Sequence, residues 1–184
     1  MFQGRWKEVV PDGLVADADE PAWSNDDAST SFVYPREEGL ITVVLRDKLL
    51  KALSRYFAED CERERLALLT GSVTMVSGGY RVSVRGMVAV QGAEASSVRV
   101  TMASGDWPAV WRQEHAMRDM MIGWAHSHPG HSIFLSATDL QTQALWFREA
   151  WSLALVFDPI SGEYGVFAGP DGQRLTPVAA AAQP

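Results

Sequence analysis

At 184 residues, with 47% hydrophobic and 21% charged residues, the chain has the length of one compact domain plus a short extension, enough to bury a core without staples. The net charge of −7 lies almost wholly in residues 1–40, which carry nine acidic against three basic side chains; no Lys/Arg cluster marks a phosphate-binding face, which argues against a nucleic-acid partner. No apolar run approaches the roughly 18 to 20 residues of a membrane span, the N-terminus lacks the apolar stretch of a secretory signal, and the single Cys61 can form no internal disulfide, so a cytoplasmic setting without membrane contact is expected.

Residues 1–39 read as an acidic, partly irregular extension, with two islands, Phe2–Val10 and Ser31–Tyr34, that suit short strands. A solvated segment is the plainer reading of this leader, and a docking arm for a basic partner the alternative. The core domain is expected over residues 40–175. It opens with the β-branched run Ile41–Leu45, followed by a helix in which Leu45, Leu49, Leu53 and Phe57 recur at a spacing of four. Strands then follow at Leu66–Met75, at Arg81–Val90 after the Gly78–Gly79 turn, and at Ser96–Met102. Alternation of Arg81, Ser83 and Arg85 with Val82, Val84 and Gly86 implies a sheet wet on one face. A second helix is expected over residues 107–119, with Asp106 as N-cap and Pro108 in its first turn. Met120–His128 reads as a strand ended by Pro129 and Gly130. Ser136–Trp151 reads as a third helix with Leu140, Ala144, Phe147 and Trp151 along one stripe. Two strands, Ser152–Asp158 and Glu163–Gly169, close the domain around a turn at Pro159–Gly162, and residues 176–184 form a low-complexity tail expected to fray. The fold class is α/β, a mixed and mainly antiparallel sheet with flanking helices.

The chemistry concentrates in His126-Ser-His128-Pro, followed by Ser136 and Asp139. Residues i and i+2 on a strand face the same way, so both imidazoles can aim at one point. A third ligand has to arrive from elsewhere, and Asp139 in the first turn of the next helix is within loop reach. Two His and one carboxylate, with a fourth position left open, is the pattern of a catalytic zinc site. Taken alone, His-x-His is more often ordinary surface or core histidine, and Ser136-x-x-Asp139 is a good capping box. Their combination at these offsets arises by chance in on the order of a few in ten thousand sequences of this composition, and that decides for the metal. The general base must be some nearby carboxylate, with Glu59, Glu62 and Glu64 as candidates.

The stretch Ile122–Gln143 resembles the JAMM (MPN+) motif, His-x-His-x10-Asp with an embedded Ser-x-x-Asp, and is closest to the deubiquitinase branch of that family. That resemblance implies an MPN (cytidine-deaminase-like) domain holding one zinc ion through His126, His128 and Asp139. The family also carries a glutamate seven residues before a glycine that ends a strand-like run. Glu64 and Gly71 match it, so the resemblance selects Glu64 as general base on the water and later as proton donor to the leaving amine. Ser136 corresponds to the serine that hydrogen-bonds the developing oxyanion. Two positions depart from the family: Ala67, where glycine is usual, and Ala125, where an aromatic residue is common and the groove beside the metal would change.

The resemblance further implies hydrolysis after the C-terminal residue of a ubiquitin-like protein, with the extended tail lying along a sheet edge. Ser96–Met102 and Pro129–Leu135 are the expected contact segments. The main expectation is an isopeptidase acting on conjugates of such a modifier at target lysines. Processing of a ubiquitin-like or sulfur-carrier precursor is the alternative, and a non-catalytic scaffold the third reading, disfavoured because the ligands and glutamate are all retained. Oligomeric state stays open. His115 and His131 read as structural or exposed histidines rather than ligands, Cys61 as a bystander, and Trp124 as packing the floor of the site.

Overall fold

The computed structural model describes residues 14–16, 28–37, 39–90 and 119–178. Ten strands and two helices lie within them, in the order β1 (Leu14–Ala16), β2 (Ser29–Arg36), β3 (Gly39–Arg46), α1 (Asp47–Ala58), β4 (Leu66–Val76), β5 (Gly79–Ala89), β6 (Met120–Ser127), α2 (Ala137–Trp146), β7 (Leu153–Phe157), β8 (Tyr164–Ala168), β9 (Gln173–Arg174) and β10 (Pro177–Val178). All ten strands join one mixed sheet in the order β10-β2-β3-β5-β4-β6-β7-β8-β9, with β1 beside β4. Three pairings are parallel, β1 with β4, β3 with β5 and β6 with β7, and the rest are antiparallel. The sheet begins with β10 and ends with β9, yet only Leu175 and Thr176 separate those strands in the chain. The sheet therefore curls until its two edges come together. No described helix is long and apolar enough to cross a membrane.

Apolar packing forms on both sides of this curled sheet. On one side Leu49, Leu53 and Phe57 of α1 are buried against Ile41, Val43, Val82, Ile122 and Leu155, and the Phe57 ring stacks on Phe157 at 5.8 Å. Each such side chain contributes about 1.5–3 kcal/mol of transfer free energy. On the other side Leu66, Leu68, Trp124, Ile133, Phe147, Ala154 and Phe167 form a second cluster. The spacing of four in α1 is thus used as expected, except that Leu45 belongs to β3 and not to the helix.

Four features differ from the sequence reading. The island Ser31–Tyr34 is part of a full sheet strand, β2, paired residue for residue with β3 and burying Phe32 and Tyr34, so the sheet takes in residues assigned above to the extension. Pro177–Val178, read as frayed tail, pair with β2. The helix begun at Ala137 stops at Trp146, and its buried residues are Asp139 and Gln143, while Leu140 and Ala144 are exposed. A stripe search that counts only apolar residues misses a face built from a carboxylate and an amide. Finally, Gly71 does not end a strand; it lies inside β4 where the register against β5 shifts. The expected strand at 96–102 lies outside the described residues, as does the expected helix at 107–119, His115 included, but for Asp119.

Close approach explains the glycine. A Cβ on Gly71 would stand 2.0 Å from the Ser83 carbonyl oxygen, whereas one on Gly78, at φ +82°, would meet nothing within 4 Å. Gly71→Ala is expected to cost about 3 kcal/mol or more, because backbone rather than a side chain must yield. Gly78→Ala should cost only the left-handed strain of about 1–2 kcal/mol. Urea unfolding of the two variants checks the ranking, and equal losses would refute it.

Candidate metal centre

The site is assembled where β6 runs out. His126 is the second-last residue of that strand and His128 the first after Ser127, so both rings lie on one face. Both residues are buried, and their Nε2 atoms are 3.0 Å apart. Asp139 arrives from the first turn of α2, its Oδ2 3.5 Å from His126 Nε2 and 4.0 Å from His128 Nε2. Glu64, two residues before β4, brings Oε1 to 3.8 Å from His128 Nε2. The other nearby glutamates turn away: Glu59 is taken by Arg65 at 2.6 Å, and Glu62 is exposed.

Each ligand-bearing group is held by a distinct device. Ser136 caps α2 through a capping box, its Oγ accepting the Asp139 N–H at 3.2 Å while its own N–H donates to Asp139 Oδ2 at 2.7 Å. Burial pulls the Asp139 carboxyl upward, but the neighbouring His126 and the Ser136 donors outweigh it and hold the pKa at about 2. His128 Nδ1 lies 3.2 Å from the Ser132 carbonyl oxygen. A carbonyl can only accept, so Nδ1 carries the proton and Nε2 presents its lone pair to the site. Burial first, and then His126, push the His128 imidazole below its ordinary value and favour this neutral ring.

His126 is held differently. Its Nδ1 is buried with no hydrogen-bond partner among the described residues, and the ring instead lies flat on Trp124, 4.6 Å between centroids and 10° between planes. Trp124 thus floors the site as expected. It is fixed in turn by Gln143, whose Oε1 accepts the indole N–H at 2.8 Å and whose Nε2 donates to the carbonyls of Gly169 and Ser152 at 3.1 and 3.3 Å. Gln143 is fully buried, one helical turn beyond Asp139. Gln143 closes the motif stretch in the sequence without a role assigned to it, although a glutamine four residues from a ligand on the same helix face is a signal for one.

The turn after His128 is tied down by Asp158. Its carboxylate accepts from the N–H groups of Gly130, Ile160 and Ser161, at 3.0, 2.9 and 3.3 Å, and from the Ser161 hydroxyl at 2.7 Å. Burial raises this carboxyl, but those donors outweigh it and bring it down to about 2. His131 is exposed beside this turn and takes no part in the cluster, and Cys61 is exposed and free.

The donor set suits a divalent cation. One ligand atom each from His126, His128 and Asp139 lies within 4.8 Å of the others. Tetrahedral ligands at about 2.0–2.2 Å from a shared ion would stand about 3.3 Å apart, and the observed separations fall on either side of that value. Two imidazoles and a carboxylate are ligands zinc accepts.

Fold and site together define a domain of the JAB/MPN class. The chain belongs to the family described as prokaryotic homologs of the JAB domain, whose model matches residues 46–163. It is similar to COP9 signalosome complex subunit 5 of Neurospora crassa, 31% identical over 93 residues that make up 50% of this chain and 26% of that protein. The corresponding protein of Caenorhabditis elegans is 44% identical over 45 residues, 23% of this chain and 12% of that protein. The chain thus matches about a quarter or less of the length of these relatives. Among solved structures, protein DSY2949 from Desulfitobacterium hafniense superposes with a TM-score of 0.54 at 18% identity, over 72% of this chain and 86% of that one, a likeness of fold.

The Asp158 anchor has a measurable pH signature. Its folded pKa lies below the unfolded value of about 3.9, so its contribution is fully present above that value and is lost as pH falls through about 2. Asp158→Asn should lower unfolding free energy by about 1.5–3 kcal/mol near neutrality. Chemical denaturation from pH 6 to pH 2 should show the gap between wild type and variant shrinking only below about pH 4. A gap that stays constant to pH 2 would exclude this role for the carboxylate.

Proposed function

We propose that this chain is a zinc-dependent isopeptidase that removes a ubiquitin-like modifier from target lysines by hydrolysis after the modifier's C-terminal residue. One observation carries the reading. A second carboxylate, Glu64, stands beside the cluster of His126, His128 and Asp139 without joining the three-ligand set, its Oε1 3.8 Å from His128 Nε2. A structural metal site has no use for such a group, and a hydrolase needs it as a proton carrier. Retention of all four residues also argues against a scaffold that only binds partners.

The chemistry zinc supplies when bound is to acidify water and polarise the scissile carbonyl. Glu64 accepts a proton from the attacking water as its oxygen bonds to the carbonyl carbon. Ser136 is suited to stabilising the oxyanion through its hydroxyl, which the Asp139 N–H holds at the start of α2. When the carbon–nitrogen bond breaks, Glu64 returns the proton to the lysine ε-nitrogen, so water is consumed and a carboxylate and an amine are released. Phe134, about half exposed with its ring 5.1 Å from that of His128, offers an apolar rest for the extended tail.

The test uses a quenched peptide whose Gly-Gly carboxyl is joined to a lysine ε-amine, compared with the same peptide linked through an α-amine as in a precursor. Wild type should bind about one zinc and cleave the isopeptide, and Glu64→Gln should keep zinc while kcat falls about 10²–10⁴-fold. His126→Ala should lose both. Preference for the α-linked peptide would replace this reading with precursor processing, and a zinc-free wild type would end it. In the same assay Ser136→Ala should lower kcat about 10²–10³-fold with zinc retained.

A further inference from the structure

Ser127 lies between the two histidines, is fully buried, and faces away from the cluster they form. The β4–β6 ladder ends at the pair Leu66–His126, one step before it. At that next step the Ser127 N–H donates to the Arg65 carbonyl at 3.0 Å. The reciprocal bond, from the Arg65 N–H, is taken by the Ser127 hydroxyl at 2.9 Å. Arg65 is the residue directly after Glu64.

The rest of the Glu64 surroundings show why this bond matters. Upstream, Asp60 Oδ1 accepts the N–H groups of Glu62 and Arg63 at 2.9 and 3.1 Å and fixes the turn leading out of α1. Downstream, the Arg65 guanidinium lies over the Tyr56 ring at 3.9 Å and donates to the Tyr56 carbonyl at 2.5 Å, and the Tyr56 hydroxyl donates to the Leu66 carbonyl at 2.8 Å. These contacts tie the segment to α1. Among the described residues, the paired Ser127–Arg65 bonds are what tie it, at this step, to the strand that carries both histidines. A hydroxyl in place of a carbonyl acceptor is a feature that alanine cannot supply and threonine can.

We infer that Ser127 is a positioning residue that sets the Glu64 carboxylate against the His126–His128 pair through its hydrogen bond with the Arg65 amide. The inference rests on the hydrolase reading of this site. Its effect is on proton transfer, which falls off steeply with misplacement of about 1 Å, and not on the metal ligands, whose own supports lie in Trp124, Ser132 and Ser136.

The experiment compares wild type, Ser127→Ala and Ser127→Thr on the Gly-Gly–lysine isopeptide, with zinc content, separate kcat and KM, and hydrogen exchange of the Arg65 amide measured with and without zinc. Ser127→Ala should keep one zinc and a KM within about twofold, lose kcat by about 10–100-fold, and exchange the Arg65 amide at least about tenfold faster. Ser127→Thr should restore both kcat and slow exchange. Faster exchange with unchanged kcat overturns the inference, as does loss of zinc in proportion to activity, or a folded, zinc-bound Ser127→Thr that stays slow. A zinc-loaded wild type that cleaves nothing overturns the hydrolase reading and the inference with it; an active wild type beside an equally active Ser127→Ala overturns the inference alone.

Discussion

Leu66 stands opposite His126 in the antiparallel ladder between β4 and β6, and the geometry of the site follows from that register. The pairing brings the segment ending α1 alongside the residue that leads the histidine pair, so Glu64 and His128 arrive within a few ångströms although 64 positions apart. A slip of one residue would reverse the facing of every side chain on β6 and aim the imidazoles away from Asp139. Register here is specified from both faces, because Leu66 and Trp124 are buried in one cluster while Ala67 and Ala125 are buried in the other. The Ala67–Ala125 pair is itself small on small, which leaves no bulk between the two strands on that face.

The second half of the site is fastened by a polar relay rather than by apolar packing. Gln143 joins α2 to β6 through Trp124 and to the loops before β7 and after β8 through two carbonyls. All its polar atoms are used, which is the condition under which a buried amide stabilises and does not destabilise. Stacking then transmits that fixed geometry to His126, whose Nδ1 has no hydrogen bond among the described residues. On the far side Asp158 and the Phe157 carbonyl, which accepts the His128 N–H at 2.9 Å, do the same for His128. Ligands from one strand end and one helix start thus meet over a base made of neighbouring strands.

Much of this was legible in the sequence. The i, i+2 histidines at a strand end and the serine–aspartate cap carry their geometry in their spacing, and α1 announces its buried face through Leu49, Leu53 and Phe57. Glu64 was not separable from Glu59 and Glu62 by spacing, and only the resemblance to a family chose it; in three dimensions Arg65 removes Glu59 and solvent removes Glu62. The buried face of α2 is hidden from an apolar pattern because Asp139 and Gln143 are polar, while Leu140, Leu145 and Trp146 are apolar and exposed. β2 was undervalued because Pro35 and the acidic residues around it mask a strand whose partner is adjacent in the chain.

Asp139 Oδ2 has a double engagement: it accepts the N–H that opens α2 and it faces both imidazoles. Its identity is therefore under two constraints at once. Histidine or cysteine would serve zinc equally well as ligands, yet neither side chain reproduces the carboxylate that closes the capping box from the third helical position. The consequence concerns how such a sequence can drift. Ligand exchange at this position, an ordinary step between one zinc site and another, would remove one of the two bonds that cap the helix delivering it, so a change in the metal chemistry also weakens the start of α2.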